Sequence, residues 1–315
     1  MENFLFSFNV VAPLFVLIIA GYLLRRINFL SATFLSEANE FVFRLLLPLM
    51  LFQNIRNTFH GDFSNPRLMF SALIGVAVVI VVATFFVCLL VKRKGQRGSM
   101  IQAIYRSNFL IYGLPLVTGI HGQEALNATS LIMGVIIPFY NIMAVVILSI
   151  FSETRVGSLS VKKLFIDIFK NPLLLGCVAG ILFGVLMIPM PEFINRSIMD
   201  LAMPSSALAL FIMGGEFKAG SLRKNIWKSL SATAARIIIV PLVAMIVFVN
   251  IGFRGLDLSI LLCLFATPTA VSSYIMAQNM GNDGDIAAQV VVLTTLGSSV
   301  TIFVFILVLK NMMLI

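Results

Sequence analysis

The sequence predicts an all-α integral membrane protein of ten transmembrane helices, laid out as two inverted five-helix repeats in which helices four and nine are broken. Three observations predict it. Hydrophobic residues make up 60% of the 315-residue chain and charged residues 11%, with a mean hydropathy of +1.05. A soluble domain of that length cannot hide so much apolar surface, and it would carry charge nearer to ~25%. Apolar windows of bilayer-spanning length recur ten times, and proline and glycine signatures of the first half return in the second at a constant offset.

The windows fall at roughly 7–24, 34–55, 68–91, 100–120, 126–150, 171–188, 198–217, 229–250, 258–280 and 287–309. The connectors between them are short and leave no room for a soluble domain. The first window follows Glu2 and lacks a basic flank and a cleavage site, so it reads as a retained helix, not a signal peptide.

Orientation follows from the basic residues. With the N-terminus outside, the inner connectors hold fourteen: Arg25, Arg26, Lys92, Arg93, Lys94, Arg97, Arg155, Lys162, Lys163, Lys170, Lys218, Arg223, Lys224 and Lys228. The outer connectors and tail hold five, namely Arg56, Arg67, Arg196, Arg254 and Lys310. Basic residues favour the cytoplasmic side, so a multi-pass protein of the cytoplasmic (inner) membrane with both termini extracytoplasmic is expected. The same positions explain the net charge of +9 as orientation signal with lipid as partner, and exclude nucleic acid. Cys88, Cys177 and Cys263 lie in apolar runs as small hydrophobes. His60 and His121 stand in separate connectors. No metal site, cofactor or nucleophile–base pair is expected, hence no enzyme.

The repeat is read from offsets. Pro13, Leu14, Ala20 and Gly21 of the first span recur as Pro172, Leu173, Ala179 and Gly180 of the sixth, 159 residues on. Gly122 and Glu124 after the fourth span match Gly281 and Asp283 after the ninth at the same offset, and Pro48 of the second span pairs with Pro204 of the seventh at 156. Residues 1–155 then form one repeat and 156–315 the other. Five spans are an odd number, so the second copy enters the membrane inverted. That is the plan of alternating-access transporters, whose solute binds near the midplane where the repeats meet.

The fourth and ninth spans carry the candidate site. The fourth contains Asn108, Tyr112, Gly113 and Pro115; the ninth contains Thr267, Pro268, Thr269, Ser272, Ser273 and Tyr274. A mid-span proline removes a donor and crowds the preceding turn, and a broken helix is tolerated in lipid only where protein or a wet cavity receives its free groups. Past each break a half-helix begins inside the membrane with its positive end inward, which suits an anion and above all a carboxylate. Arg236, five residues before Pro241 in the eighth span, is expected either as counter-charge to the solute or as tether to a broken helix. Arg106 lies nearer its cytoplasmic end and is expected to snorkel. Glu37, Glu40 and Arg44 share a helix face, with Glu40 and Arg44 an internal ion pair. Gly176, Gly180 and Gly184 form a close-packing or dimer stripe, and Asp283 and Asp285 suit the cap of the tenth helix.

Leu47, Pro48 and Phe52 in the second span, Met203, Pro204, Phe211, Gly214 and Gly215 in the seventh, and Asn108, Gly113 and Pro115 in the fourth together resemble the auxin efflux carrier family, including its bacterial malate and malonate permeases. The resemblance runs over nearly the whole chain. It implies a fold shared with bile-acid sodium symporters and sodium/proton antiporters. Spans 1, 2, 6 and 7 would form a scaffold that pairs two copies as a homodimer, and spans 3–5 and 8–10 a mobile transport unit carrying crossed helices four and nine. It also implies a secondary transporter of small carboxylates working as an elevator. The long central loop of the plant carriers is missing, with only residues 151–170 in its place, and Thr267 stands before Pro268 where the plant pattern has Asn; a bacterial-type member is expected. Two other readings stay open: a Na⁺- or H⁺-coupled carrier of the same architecture for another solute, and a membrane sensor.

Overall fold

A computed structural model describes residues 2–58, 65–122, 124–154, 166, 169–217 and 219–315, with side chains from Ala12 onward except Glu124 and residues 219–224. His60, Arg155, Lys162, Lys163 and Lys218, and with them the 155/156 repeat boundary, lie outside the described residues. Among those described, the regular structure is helical apart from one isolated β-bridge. Without water to take up N–H and C=O groups, a chain in lipid satisfies its backbone within each segment, and helices do this.

Among the described residues, five stretches are long and apolar enough to cross a membrane: Pro66–Leu90, Ala125–Ile150, Glu192–Glu216, Asn225–Ile251 and Gly284–Asn311. In chain order the helices are α1 (Glu2–Arg26), α2 (Ala32–Phe41), α3 (Leu47–Thr58), α4 (Pro66–Leu90), α5 (Lys94–Tyr105), α6 (Leu114–His121), α7 (Glu124–Ile150) and α8 (Pro172–Val185). They continue as α9 (Glu192–Ala202), α10 (Ser205–Glu216), α11 (Ala219–Ala234), α12 (Val240–Ile251), α13 (Gly255–Ala266), α14 (Ser272–Asn279) and α15 (Gly284–Asn311). Side-chain caps start four of them: Ser31, Asn65, Asn171 and Asp283 accept from the backbone N–H of Phe34, Leu68, Leu173 and Ile286. Large apolar side chains face outward along α4 (Phe70, Ile74, Val81, Phe85), α12 (Leu242, Ile246) and α15 (Val300, Val304), as lipid requires.

Three wide, five-residue π turns interrupt the helical winding, at Val42–Leu46, Phe109–Gly113 and Ala235–Ile239. Each is followed at the same distance by a proline: Pro48, Pro115 and Pro241. A proline ring collides with the carbonyl four residues back and offers no N–H to it. One extra residue in the preceding turn moves that carbonyl aside, and the residue before each proline closes the wide turn, Leu47 on Val42, Leu114 on Phe109 and Val240 on Ala235. These turns hold Arg44, Tyr112 and Arg236.

The helices pack in two groups. In the first, α1 lies along α10 and α3 lies along α8 and α9. The approach is close enough to demand glycine. A Cβ on Gly21 would sit 1.9 Å from the Phe211 carbonyl oxygen, and one on Gly214 1.9 Å from that of Ile18. On the other pair, a Cβ on Gly180 would come 2.9 Å from the Phe52 carbonyl oxygen and one on Gly176 2.5 Å from that of Pro48. Gly176 and Gly180 of the small-residue stripe thus seat α8 on α3 within the chain. Gly21 and Gly180 are 159 residues apart, and so are their partners Phe211 and Phe52. The second group joins α4, α5 and α7 to α11, α13, α14 and α15. Between α2 and α3, Arg44 meets Glu40 at 2.7 Å as an exposed ion pair.

Candidate functional site

In the fourth span the helix stops at Tyr105 and resumes in the wide turn at Phe109; in the ninth it stops at Ala266 and resumes at Ser272. The two extended gaps lie side by side and antiparallel. Ser107 bridges Thr269, the Asn108 N–H donates to the Pro268 carbonyl at 2.8 Å, and the Ala270 N–H donates to the Arg106 carbonyl at 3.2 Å. Each gap thereby satisfies groups that the other leaves free. Pro268 stands inside its gap. Pro115 stands beyond its own gap, two residues past the wide turn in which the helix resumes.

The first half-helices, α5 and α13, end at this pairing with carbonyls and negative dipole ends toward the interior. Arg236, fully buried, answers them. Its Nε and one terminal nitrogen donate to the Thr267 carbonyl at 2.9 and 2.8 Å, and that nitrogen reaches Leu264 at 3.2 Å. The other terminal nitrogen donates to Ile104 and Tyr105 at 3.2 Å each. Of the two roles expected for Arg236, the geometry is that of a tether: one guanidinium caps the C-terminal ends of both half-helices. Its donors are turned to main-chain carbonyls, and it does not line the adjacent pocket.

That pocket, about 90 Å³, opens beside the paired gaps. Asn108 and Ser272, both expected at the site, line it together with Phe109–Ile111, the first residues after the fourth-span break, and Val271, the last of the ninth-span gap. Five polar residues not expected there join them: Arg106, Ser107, Tyr140, Asn141 and Ser206, with Asn54 at the edge from α3. Arg106 does not snorkel; it is 4% exposed. Its guanidinium donates to the Asn141 Oδ1 at 2.5 Å and to the Met276 sulfur at 2.5 Å. Helix α5 begins at Lys94, so Arg106 stands twelve residues along it. At 1.5 Å per residue that is roughly 18 Å from the start of the helix. The Ser107 hydroxyl donates to the Tyr140 hydroxyl at 3.2 Å, and the Asn141 amide is held by the Ile137 carbonyl at 2.8 Å. A signal for the second pair was present as Pro138, Tyr140 and Asn141, a proline followed by polar residues deep in the fifth span.

The remaining expected residues are placed elsewhere. Thr269 is structural, its hydroxyl donating to the Ala103 carbonyl at 2.7 Å and its N–H to the Thr294 hydroxyl at 3.1 Å. Thr267 and Ser273 are buried with hydroxyls that reach no partner among the described residues. Tyr112 and Gly113 are buried in the wide turn, where a Cβ on Gly113 would strike the Phe109 ring at 2.2 Å. Tyr274 faces a second cavity, about 360 Å³, between α10 and α14, lined also by Arg25, Glu216, Gln278 and Asp285. The Tyr274 hydroxyl donates to the Glu216 carboxylate across it. Among the described residues no group of His, Cys, Asp or Glu is placed to hold a metal.

The chain is similar in sequence to known transporters. An uncharacterized transporter of Methanocaldococcus jannaschii is 22% identical, over 91% of this chain and 94% of its own. An uncharacterized transporter of Methanothermobacter thermautotrophicus is 24% identical, over 95% and 97%. The mouse lysosomal cholesterol signaling protein is 25% identical over 75% of this chain, which matches 29% of that longer protein. The family model described as membrane transport protein matches residues 6–306. With that match over nearly its whole length, the chain belongs to the membrane transport protein family, that of the auxin efflux carriers.

Proposed function

We propose that the chain is a secondary carrier that moves a small organic anion, a mono- or dicarboxylate, across the cytoplasmic membrane by alternating access of the elevator type. The observation that carries this reading is the antiparallel pairing of two helix gaps beside a small polar pocket lined by Asn108, Ser272 and the first residues of both second half-helices. Those residues bring two positive helix ends and free N–H groups toward one point, an arrangement that attracts a carboxylate.

Three features support the wider architecture. The helices read as ten passages when α2–α3, α5–α6, α9–α10, α11–α12 and α13–α14 are each counted once. The close packing of Gly21 on Phe211 and of Gly180 on Phe52 repeats at the 159-residue offset of the duplicated signatures, as two inverted repeats require. The packing of α1, α3, α8, α9 and α10 as one group supports their role as scaffold and dimer face, with the other group as transport unit. A second reading, a proton- or sodium-coupled carrier of the same architecture, is favoured by the cavity that Glu216 and Asp285 line.

The test is reconstitution in liposomes with a panel of mono- and dicarboxylates, imposing pH and Na⁺ gradients separately. Saturable uptake of a carboxylate is expected. Uptake of none of them contradicts the proposal, and uptake that follows either gradient selects the coupled reading.

Prolines give a finer check. Alanine at Pro115 removes the reason for the wide turn before it and lets Phe109–Gly113 rewind by one residue, turning the pocket's wall. Alanine at Pro268 relaxes the extended gap. Uptake is expected to fall at least about tenfold in each, as positioning losses do, with membrane insertion unchanged. Full uptake by both variants would remove the broken-helix mechanism.

A further inference from the structure

The pocket's lining holds one cationic side chain, Arg106, and no acidic one. Among the described residues the guanidinium meets no carboxylate; its partners are neutral, the Asn141 and Gln102 amide oxygens and the Met276 sulfur. A buried charge with only neutral partners is costly, and an incoming anion relieves that cost. The pocket is also small, about 90 Å³, far below the ~300 Å³ at which sites for drug-sized ligands begin. Beyond Arg106 it offers neutral polar groups (Asn108, Asn141, Ser206) and an apolar wall of Leu51 and Ile137. A second carboxylate on the guest would be desolvated there without a cation to meet it. Arg236, the other buried guanidinium beside the crossing, is turned to main-chain carbonyls.

We infer that Arg106 is the charge partner of the solute and that the solute is a monocarboxylate of a few carbons, selected over dicarboxylates by the single cation. The inference rests on the carrier reading above and narrows it. Sequence position hid this role, because hydropathy alone sets Arg106 close to the start of its span, whereas the helix begins at Lys94.

Proteoliposomes of wild type, Arg106→Gln and Arg106→Lys at pH 7.5 are assayed for uptake of labelled pyruvate, malate and the neutral lactamide. Wild type is expected to take up pyruvate about thirtyfold better than either of the others, the scale of a buried charge pair. Arg106→Gln is expected to lose the preference for pyruvate over lactamide. Should Arg106→Gln fail to fold, Arg106→Lys decides: it is expected to keep that preference with a weaker affinity. Uptake of malate by wild type equal to that of pyruvate overturns the monocarboxylate assignment and leaves the carrier standing. A folded Arg106→Gln with undiminished preference, or an Arg106→Lys with none, overturns the role of Arg106. Uptake of neither acid by wild type removes the carrier reading and this inference with it.

Discussion

Arg236→Gln is expected to prevent the crossing from forming. The substitution removes a charge that five hydrogen bonds distribute over four carbonyls of two half-helix ends. Glutamine offers two donors, so most of those carbonyls are left in an interior that water does not reach. Hydrogen bonds to a charged group contribute about 1.5–3 kcal/mol each, and breaking a buried charged network costs roughly 3–5 kcal/mol. Lysine keeps the charge but replaces a planar fork with a point donor, so Arg236→Lys is expected to restore only part of the loss. The check is the thermal midpoint of detergent-purified protein followed by size-exclusion chromatography: a large drop for glutamine, a smaller one for lysine. Because Arg236 does not line the pocket, any Arg236→Lys protein that folds is expected to lose uptake of charged and neutral solutes alike. A selective loss of anion uptake would mean that Arg236 touches the solute.

The second large effect is expected where α1 lies on α10. Alanine at Gly214 or Gly21 would drive a methyl group to 1.9 Å from a backbone carbonyl oxygen of the facing helix. A backbone atom cannot rotate away as a side chain can, so the helices must separate along their length. Overpacking of this kind costs typically 1–3 kcal/mol per site. The equivalent contacts of Gly176 and Gly180 on α3 are looser, 2.5 and 2.9 Å, so their alanine variants are expected to lose less. An order of loss Gly214 ≈ Gly21 > Gly176 > Gly180 in thermal midpoint is the expected result, and equal tolerance at all four sites would contradict the packing.

Much of this was legible in the residues. Helix α4 is almost wholly apolar from Leu68 to Leu90 and ends before Lys92, and Asp283 reads as a cap because its side chain suits the first turn it precedes. Glu40 and Arg44 could be paired from spacing alone. Two things were not legible. Hydropathy averages over a window, so it places the start of the fourth span at 100, when the helix begins at Lys94 through the polar stretch Lys94–Gln102; Arg106 lies at the far end of that helix, buried, and not at its exposed start. Proline was also read as the site of each break, which holds for Pro268 but not for Pro115. There the consequence of the ring falls on the turn before it, a wide π turn, and the gap lies further upstream where it can pair with its partner. Tyr274 belongs to the ninth span's motif yet faces the other cavity, because a helix begins at Ser272 and turns successive residues about 100° apart.

Water access to the crossing tests the whole account most directly. In a background with Cys88, Cys177 and Cys263 replaced by serine, single cysteines are placed at Ser107, Ser272 and, as a control on an outward face of α15, Val300. A membrane-impermeant, water-soluble thiol reagent is then applied to reconstituted protein with and without pyruvate. Labelling of Ser107→Cys and Ser272→Cys, slowed by pyruvate, with Val300→Cys untouched, is the result predicted by a polar chamber between two paired helix gaps. Failure of both pocket cysteines to react, under conditions that label a single cysteine placed at the exposed Lys92, would contradict it.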